Sequence, residues 1–138
     1  MTLKPDHAAA FSPPAAGGRF AAGEDPAKRQ QILAGAKRVF MKMGFDAASM
    51  NDVTREAGVS KGTLYVYFTN KEELFSAMIE AERATFLATM RTALAEHDDP
   101  ETGLYEFGIS FVTHMTDEKV ISAMRTVLGV RDRMPVLC

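Results

Sequence analysis

"SMNDVTREAGVSKGTLYVYF", residues 49–68, decides the fold. Ser49 suits a helix N-cap, and Asp52 three residues on approximates a capping box. Met50, Val53 and Ala57 share one face of the helix that follows. Gly58 supplies a tight turn, and Val59 plugs the angle behind it. Ser60 caps a second short helix beginning at Lys61, with Leu64 and Phe68 one turn apart on its inner side. Helix, glycine turn and helix within about 20 residues form the helix-turn-helix pattern. Gly62 inside the second helix costs about 1 kcal/mol against alanine, which marks a place where backbone approaches something closely.

Upstream, Asp25 caps a longer helix and Pro26 fits its first position. Ile32, Leu33, Ala36, Val39, Phe40 and Met43 recur as one apolar stripe, and Gly44 stops the helix with Phe45 folding back. Downstream, Asn70 and Glu73 open a long helix whose apolar stripe runs from Leu74 and Phe75 to Met90 and Leu94. His97–Pro100 ends it. A fifth helix places Leu104, Phe107, Phe111 and Met115 inward, and a sixth, capped by Thr116 or Asp117, places Val120, Ile121, Met124, Val127 and Leu128 inward. No strand alternation appears, so the expected class is all-α: a three-helix head, then a helical body. The expected organisation is a disordered arm over 1–24, a helix-turn-helix domain over 25–70 and a partial helical regulatory domain over 71–138.

With 138 residues, 46% of them hydrophobic, the chain can bury a real core. Its one cysteine, Cys138, permits no intramolecular disulfide, which makes a reducing, cytoplasmic setting the expectation. No apolar run approaches the roughly 18 residues of a membrane span, and the N-terminal residues lack a continuous apolar signal core. A net charge of −2 alone argues against nucleic acid, but its distribution argues the other way. Residues 26–70 carry seven cations against three anions, and residues 71–138 carry seven against twelve. A basic head on an acidic body suggests a polyanion-binding unit joined to one of another kind. Solvated charges clustered by chance remain the alternative. No GxSxG, phosphate-cradling glycine loop or paired-carboxylate motif points to an enzyme. His114 has no second His or Cys at ligand spacing, so neither a metal nor a cofactor is expected.

The run "ILAGAKRVFMKMGFDAASMNDVTREAGVSKGTLYVYFTNKEEL", residues 32–74, resembles the DNA-binding head of the TetR family of transcriptional regulators. The likeness lies in the Gly-Phe end of the first helix, the serine cap, Ala-Gly-Val-Ser at the turn, Gly-Thr-Leu-Tyr in the second short helix, and Lys-Glu-x-Leu after the phenylalanine. The later "AMRTVLGVRDRMPVL", residues 123–137, resembles part of some members' ligand-binding body. The resemblance implies double-stranded DNA as partner, read at a pseudo-palindromic operator by a homodimer that acts as a repressor released by a small-molecule effector. It implies that Lys61, Thr63, Tyr65 and Tyr67 face the DNA, that Gly62 lets the helix start approach the DNA backbone, and that Lys71 meets a phosphate. Ser49 and Asn51, at the start of the preceding helix, are further phosphate candidates. Both tyrosines as core is the competing reading. For Lys71 the alternative is a solvated side chain beside Glu72 and Glu73.

In the body, Phe86, Met90, Phe107, Phe111, His114 and Met124 are candidate lining for an apolar effector cavity, against the plainer reading that they are core. Members of the family usually run to about 200 residues with two further long helices, and this chain stops at Cys138. The alternative function is therefore a truncated helical module that binds another protein through its uncovered apolar faces.

Overall fold

Helix α1 spans Pro26–Ala47, and its start follows from Asp25, whose carboxylate accepts from the backbone N–H groups of Ala27 and Lys28. In the computed structural model, which describes residues 20–131, five more helices follow. They are α2 (Met50–Ala57), α3 (Lys61–Tyr67), α4 (Lys71–Ala95), α5 (Pro100–Met115) and α6 (Glu118–Val130). The expected all-α class holds, with no strand among the described residues. The expected caps are all present: Ser49 on α2, Ser60 on α3, Asn70 on α4 and Asp117 on α6, each accepting from a first-turn amide. Asp99, which the sequence reading did not single out, does the same for α5.

Gly44 departs from helical geometry with φ 77°, a left-handed value that favours glycine. The chain turns there and throws Phe45 back onto α1, where it stacks on Phe40 at 5.9 Å. Phe75 of α4 meets both rings edge-on at 5.0 Å, so one aromatic trio joins α1 to α4. Ile32, Leu33, Ala36, Val39, Val53, Leu64, Phe68, Leu74 and Met78 complete the core around it. The apolar cluster does not stop at residue 70: α4 supplies Leu74, Phe75 and Met78, and α6 supplies Val130 near its end.

Two expectations change. The arm placed over 1–24 lies outside the described residues as far as residue 19. Residues 20–24, however, form a turn closed by Glu24 N–H on the Ala21 carbonyl, against Val66 and Tyr67 of α3. Several body residues expected inward are exposed, among them Leu94, Leu104, Phe111, Ile121, Met124 and Leu128. Helical spacing reports which residues share a face. It does not report whether a neighbour covers that face, and among the described residues these side chains keep more than a third of their surface open.

The capping box of α2 carries a pH prediction. The Ser49 hydroxyl and then its backbone N–H donate to Asp52, with Arg55 adding attraction, so the carboxyl titrates below its ordinary 3.8. A lowered folded value means the contribution is present above pH 3.8 and lost as pH falls through the folded value. A 13C titration of the Asp52 carboxyl is expected to show its midpoint below 3.8 in the folded chain. A midpoint above 3.8 would contradict the box.

Candidate nucleic-acid interface

The helix-turn-helix is set by contacts that α1 makes with α2. Gly35 lies so close to Ala57 that a Cβ on it would stand 2.6 Å from the Ala57 Cβ and 2.8 Å from its Cα. Nearby, the Gln31 side-chain amide donates to the Ala57 carbonyl at 2.7 Å, where α2 gives way to the turn. Gly58 takes φ 66° as the C-cap, and Val59 N–H closes on the Thr54 carbonyl. Arg38 pairs with the Glu56 carboxylate and also donates to the Glu56 carbonyl at 3.2 Å. Sequence reasoning missed Gly35, Gln31 and Arg38. The available signal was a glycine inside a strong helix, of the kind noted at Gly62 but passed over at Gly35.

Helix α3 then has an anchored back and a free front. Leu64 is fully buried and Phe68 nearly so, which fixes the helix on the core. Lys61, Gly62, Tyr65 and Val66 are exposed, with Tyr65 at 44% and Val66 at 53%. A Cβ built on Gly62 would meet nothing within 4 Å, so the outer side of this turn is open. Thr63 is half-buried, and its hydroxyl accepts from Ser60 at 2.8 Å. Lys61 and Tyr65 form one wall of an open groove of about 400 Å³, and Ser49, Met50 and Asn51 of the α2 start form the other.

The structure changes the setting of three of the expected contact residues. Tyr67 does not face outward with Tyr65: it is half-buried on the core, and its hydroxyl accepts from the Asp25 N–H at 3.2 Å. Two residues along a helix rotate a side chain by about 200°, so the two tyrosines leave on opposite sides. Lys71 is half-buried, and its ammonium is held by backbone carbonyls rather than by Glu72 or Glu73. Its ammonium donates to the carbonyls of Phe45 at 2.8 Å, Ala48 at 3.0 Å and Asp46 at 3.4 Å, and lies 4.5 Å over the Phe45 ring. Carbonyls at a helix end carry partial negative charge that attracts a cation, and three of them gather around this one. Ser49 has both its hydroxyl and its backbone N–H engaged with Asp52, so the neighbouring amides of Met50 and Asn51 are the ones without an intrahelical acceptor.

The basic excess of the head also reads differently once partners are seen. Lys28 donates to Gln31, Lys37 pairs with Glu82, Arg38 with Glu56 and Arg55 with Asp52, while Arg29 sits over the Phe68 ring. Among the described residues of the head, Lys42 and Lys61 have no such partner. Of these, Lys61 lies on the open face of α3.

In the body, Phe86 of α4 stacks on His114 of α5 at 4.6 Å and meets Phe111 at 6.2 Å, with Phe107 stacked on Phe111 at 6.1 Å. Four of the candidate effector residues therefore form one aromatic cluster. Met90 is buried on α4, and Met124 stands exposed on α6. Among the described residues no group of three or more His, Cys, Asp or Glu is placed to hold a metal, and no helix is long and apolar enough to cross a membrane.

Comparison with known proteins agrees with this geometry. Residues 32–78 match the family described as bacterial regulatory proteins, tetR family. The HTH-type transcriptional regulator UidR of Escherichia coli K12 is 32% identical over 103 residues, which is 75% of this chain and 46% of UidR. A TetR-family transcriptional regulator from Mesorhizobium loti superposes with a TM-score of 0.74 at 29% identity, covering 80% of this chain and 56% of that one. The flavonoid-responsive regulator FrrA superposes with a TM-score of 0.61 at 30% identity, covering 82% of this chain and 57% of that one. The chain thus spans about half the length of these relatives. The head, the helix order and these similarities point to one family, the tetR family of bacterial regulatory proteins, and residues 32–78 are the part of the chain that matches it.

Proposed function

We propose that this chain is a sequence-specific DNA-binding transcriptional regulator, with residues 25–70 reading the DNA and residues 71–138 belonging to a regulatory body. The observation that carries it is the two-sidedness of α3. Leu64 and Phe68 are buried, while Lys61, Gly62, Tyr65 and Val66 are exposed on a helix thin enough for a major groove about 12 Å wide. Tyr65 and Lys61 are the proposed reading residues, with Thr63 beside them and the amides of Met50 and Asn51 on a phosphate across the groove. The finer reading is a cytoplasmic homodimer on a pseudo-palindromic operator, acting as a repressor that a small molecule releases. The aromatic cluster of Phe86, Phe107, Phe111 and His114 supports an apolar effector site, and the response of the similar FrrA to a flavonoid supports a small-molecule trigger.

A salt series tests the DNA reading. Fluorescence anisotropy of the chain with duplexes from the DNA flanking its own coding region is expected to give tight binding to one site. The affinity for that site should fall steeply with salt, with a log–log slope of several units. Binding that ignores salt would contradict phosphate contact. The exposed Leu104 and Leu128 favour the second reading, a helical protein-interaction module. Size-exclusion chromatography that finds a mixed complex with another helical protein and no operator binding would favour that reading.

A further inference from the structure

We propose that Lys71 is a positioning residue that fixes the start of α2 relative to α3 and so sets the width of the groove between them; this rests on the DNA-binding reading above. Lys71 is the first residue of α4, and three residues, Phe68 to Asn70, separate it from the end of α3. Its backbone therefore moves with the reading helix. Its ammonium holds the carbonyls of Phe45, Asp46 and Ala48, the connection between the kink of α1 and the Ser49 cap of α2. One side chain thus ties the far end of the reading helix to the entry of the helix that opposes it.

The tie is built rather than incidental. Three acceptors surround one ammonium, matching the three donors of lysine. The Phe45 ring lies 4.5 Å beneath the cation and is itself held by Phe40 and Phe75, so the platform is rigid. Lys71 also lines the groove that Ser49, Met50 and Asn51 form with Lys61 and Tyr65. Without the tie, the end of α1 and the cap of α2 lose their common anchor, and the amides of Met50 and Asn51 are no longer held at a fixed distance from Lys61.

Two variants of the full chain separate this role from a direct phosphate contact. Lys71→Met keeps most of the stem and loses every donor; Lys71→Arg keeps the cation and several donors. Amide hydrogen exchange is read at Asp52, whose N–H is capped by Ser49, against Val39 and Phe40 in α1 as internal reference. Binding is read on a duplex that the wild-type chain selects from a randomised pool, across a salt series. For Lys71→Met the expected result is roughly tenfold faster exchange at Asp52 alone, an affinity about tenfold weaker, and a salt slope unchanged within about half a unit. Lys71→Arg is expected to stay near wild type in both readouts. A slope lower by about one unit with exchange unchanged would overturn the proposal in favour of a phosphate contact. No change in either readout would overturn it as well. If Lys71→Met does not fold, Lys71→Arg carries the test, and weak binding by Lys71→Arg with wild-type exchange overturns the proposal. A wild-type chain that selects no duplex would sink the DNA reading, and the exchange arm would still decide whether Lys71 holds the start of α2.

Discussion

Gly35→Ala is expected to destabilise the chain by about 2 kcal/mol, against the usual sign of such a change in a helix. Alanine for glycine inside a helix normally gains about 1 kcal/mol. Here the new Cβ would stand 2.6 Å from the Ala57 Cβ, 2.8 Å from its Cα and 2.9 Å from its N. Two of those atoms are backbone, so no rotamer change relieves the contact, and α1 and α2 must move apart. Overpacking of a close contact costs up to about 3 kcal/mol, which outweighs the propensity gain. Thermal unfolding followed by circular dichroism is expected to show Tm lower by about 8 °C, at about 4 °C per kcal/mol for a chain of this size. Adding Ala57→Gly is expected to restore part of the loss, because it removes the nearest atom and leaves the backbone ones. A Tm equal to or above wild type for Gly35→Ala would show that the helices are not packed this closely.

Tyr65→Ala is expected to weaken specific DNA binding by about 2 kcal/mol or more, roughly thirtyfold in affinity, with the fold intact. Tyr65 is 44% exposed, so its removal leaves the core untouched, and stability should stay within about 0.5 kcal/mol. Tyr67→Phe gives the contrast. It removes only the hydroxyl that accepts from the Asp25 N–H, and operator affinity is expected to remain near wild type. Anisotropy titrations of both variants, beside their melting curves, check this. Wild-type affinity in a folded Tyr65→Ala chain would sink the assignment of α3 as the reading helix.

The head was legible because its signals are local. A cap, a glycine turn and an apolar period each act within a few residues, and Ser49, Gly58, Ser60 and Asn70 do what those rules require. What sequence reasoning missed is long-range. Lys71 meets acceptors 23–26 residues away, and Gln31 meets one 26 residues away, so no window on the sequence contains both partners. The tyrosine pair shows the limit from another side: both residues share type and neighbourhood, and only the buried anchors at Leu64 and Phe68 decide that Tyr65 points out. The charge of the head overstated its free cations for the same reason, since several of them are matched within the fold. In the body, periodicity identified apolar faces correctly and could not identify their cover, as Leu104 and Leu128 show.

The DNA-facing surface proposed for this chain is α3 together with the start of α2. Backbone 15N–1H spectra of the chain, titrated with a duplex that it selects from a randomised pool, test this most directly. The expected result is large shift changes at Met50, Asn51 and Lys61 to Val66, with the amides of Leu104 to Val112 on α5 unmoved. Changes concentrated on α5 and α6, with Lys61 and Tyr65 unmoved, would contradict it.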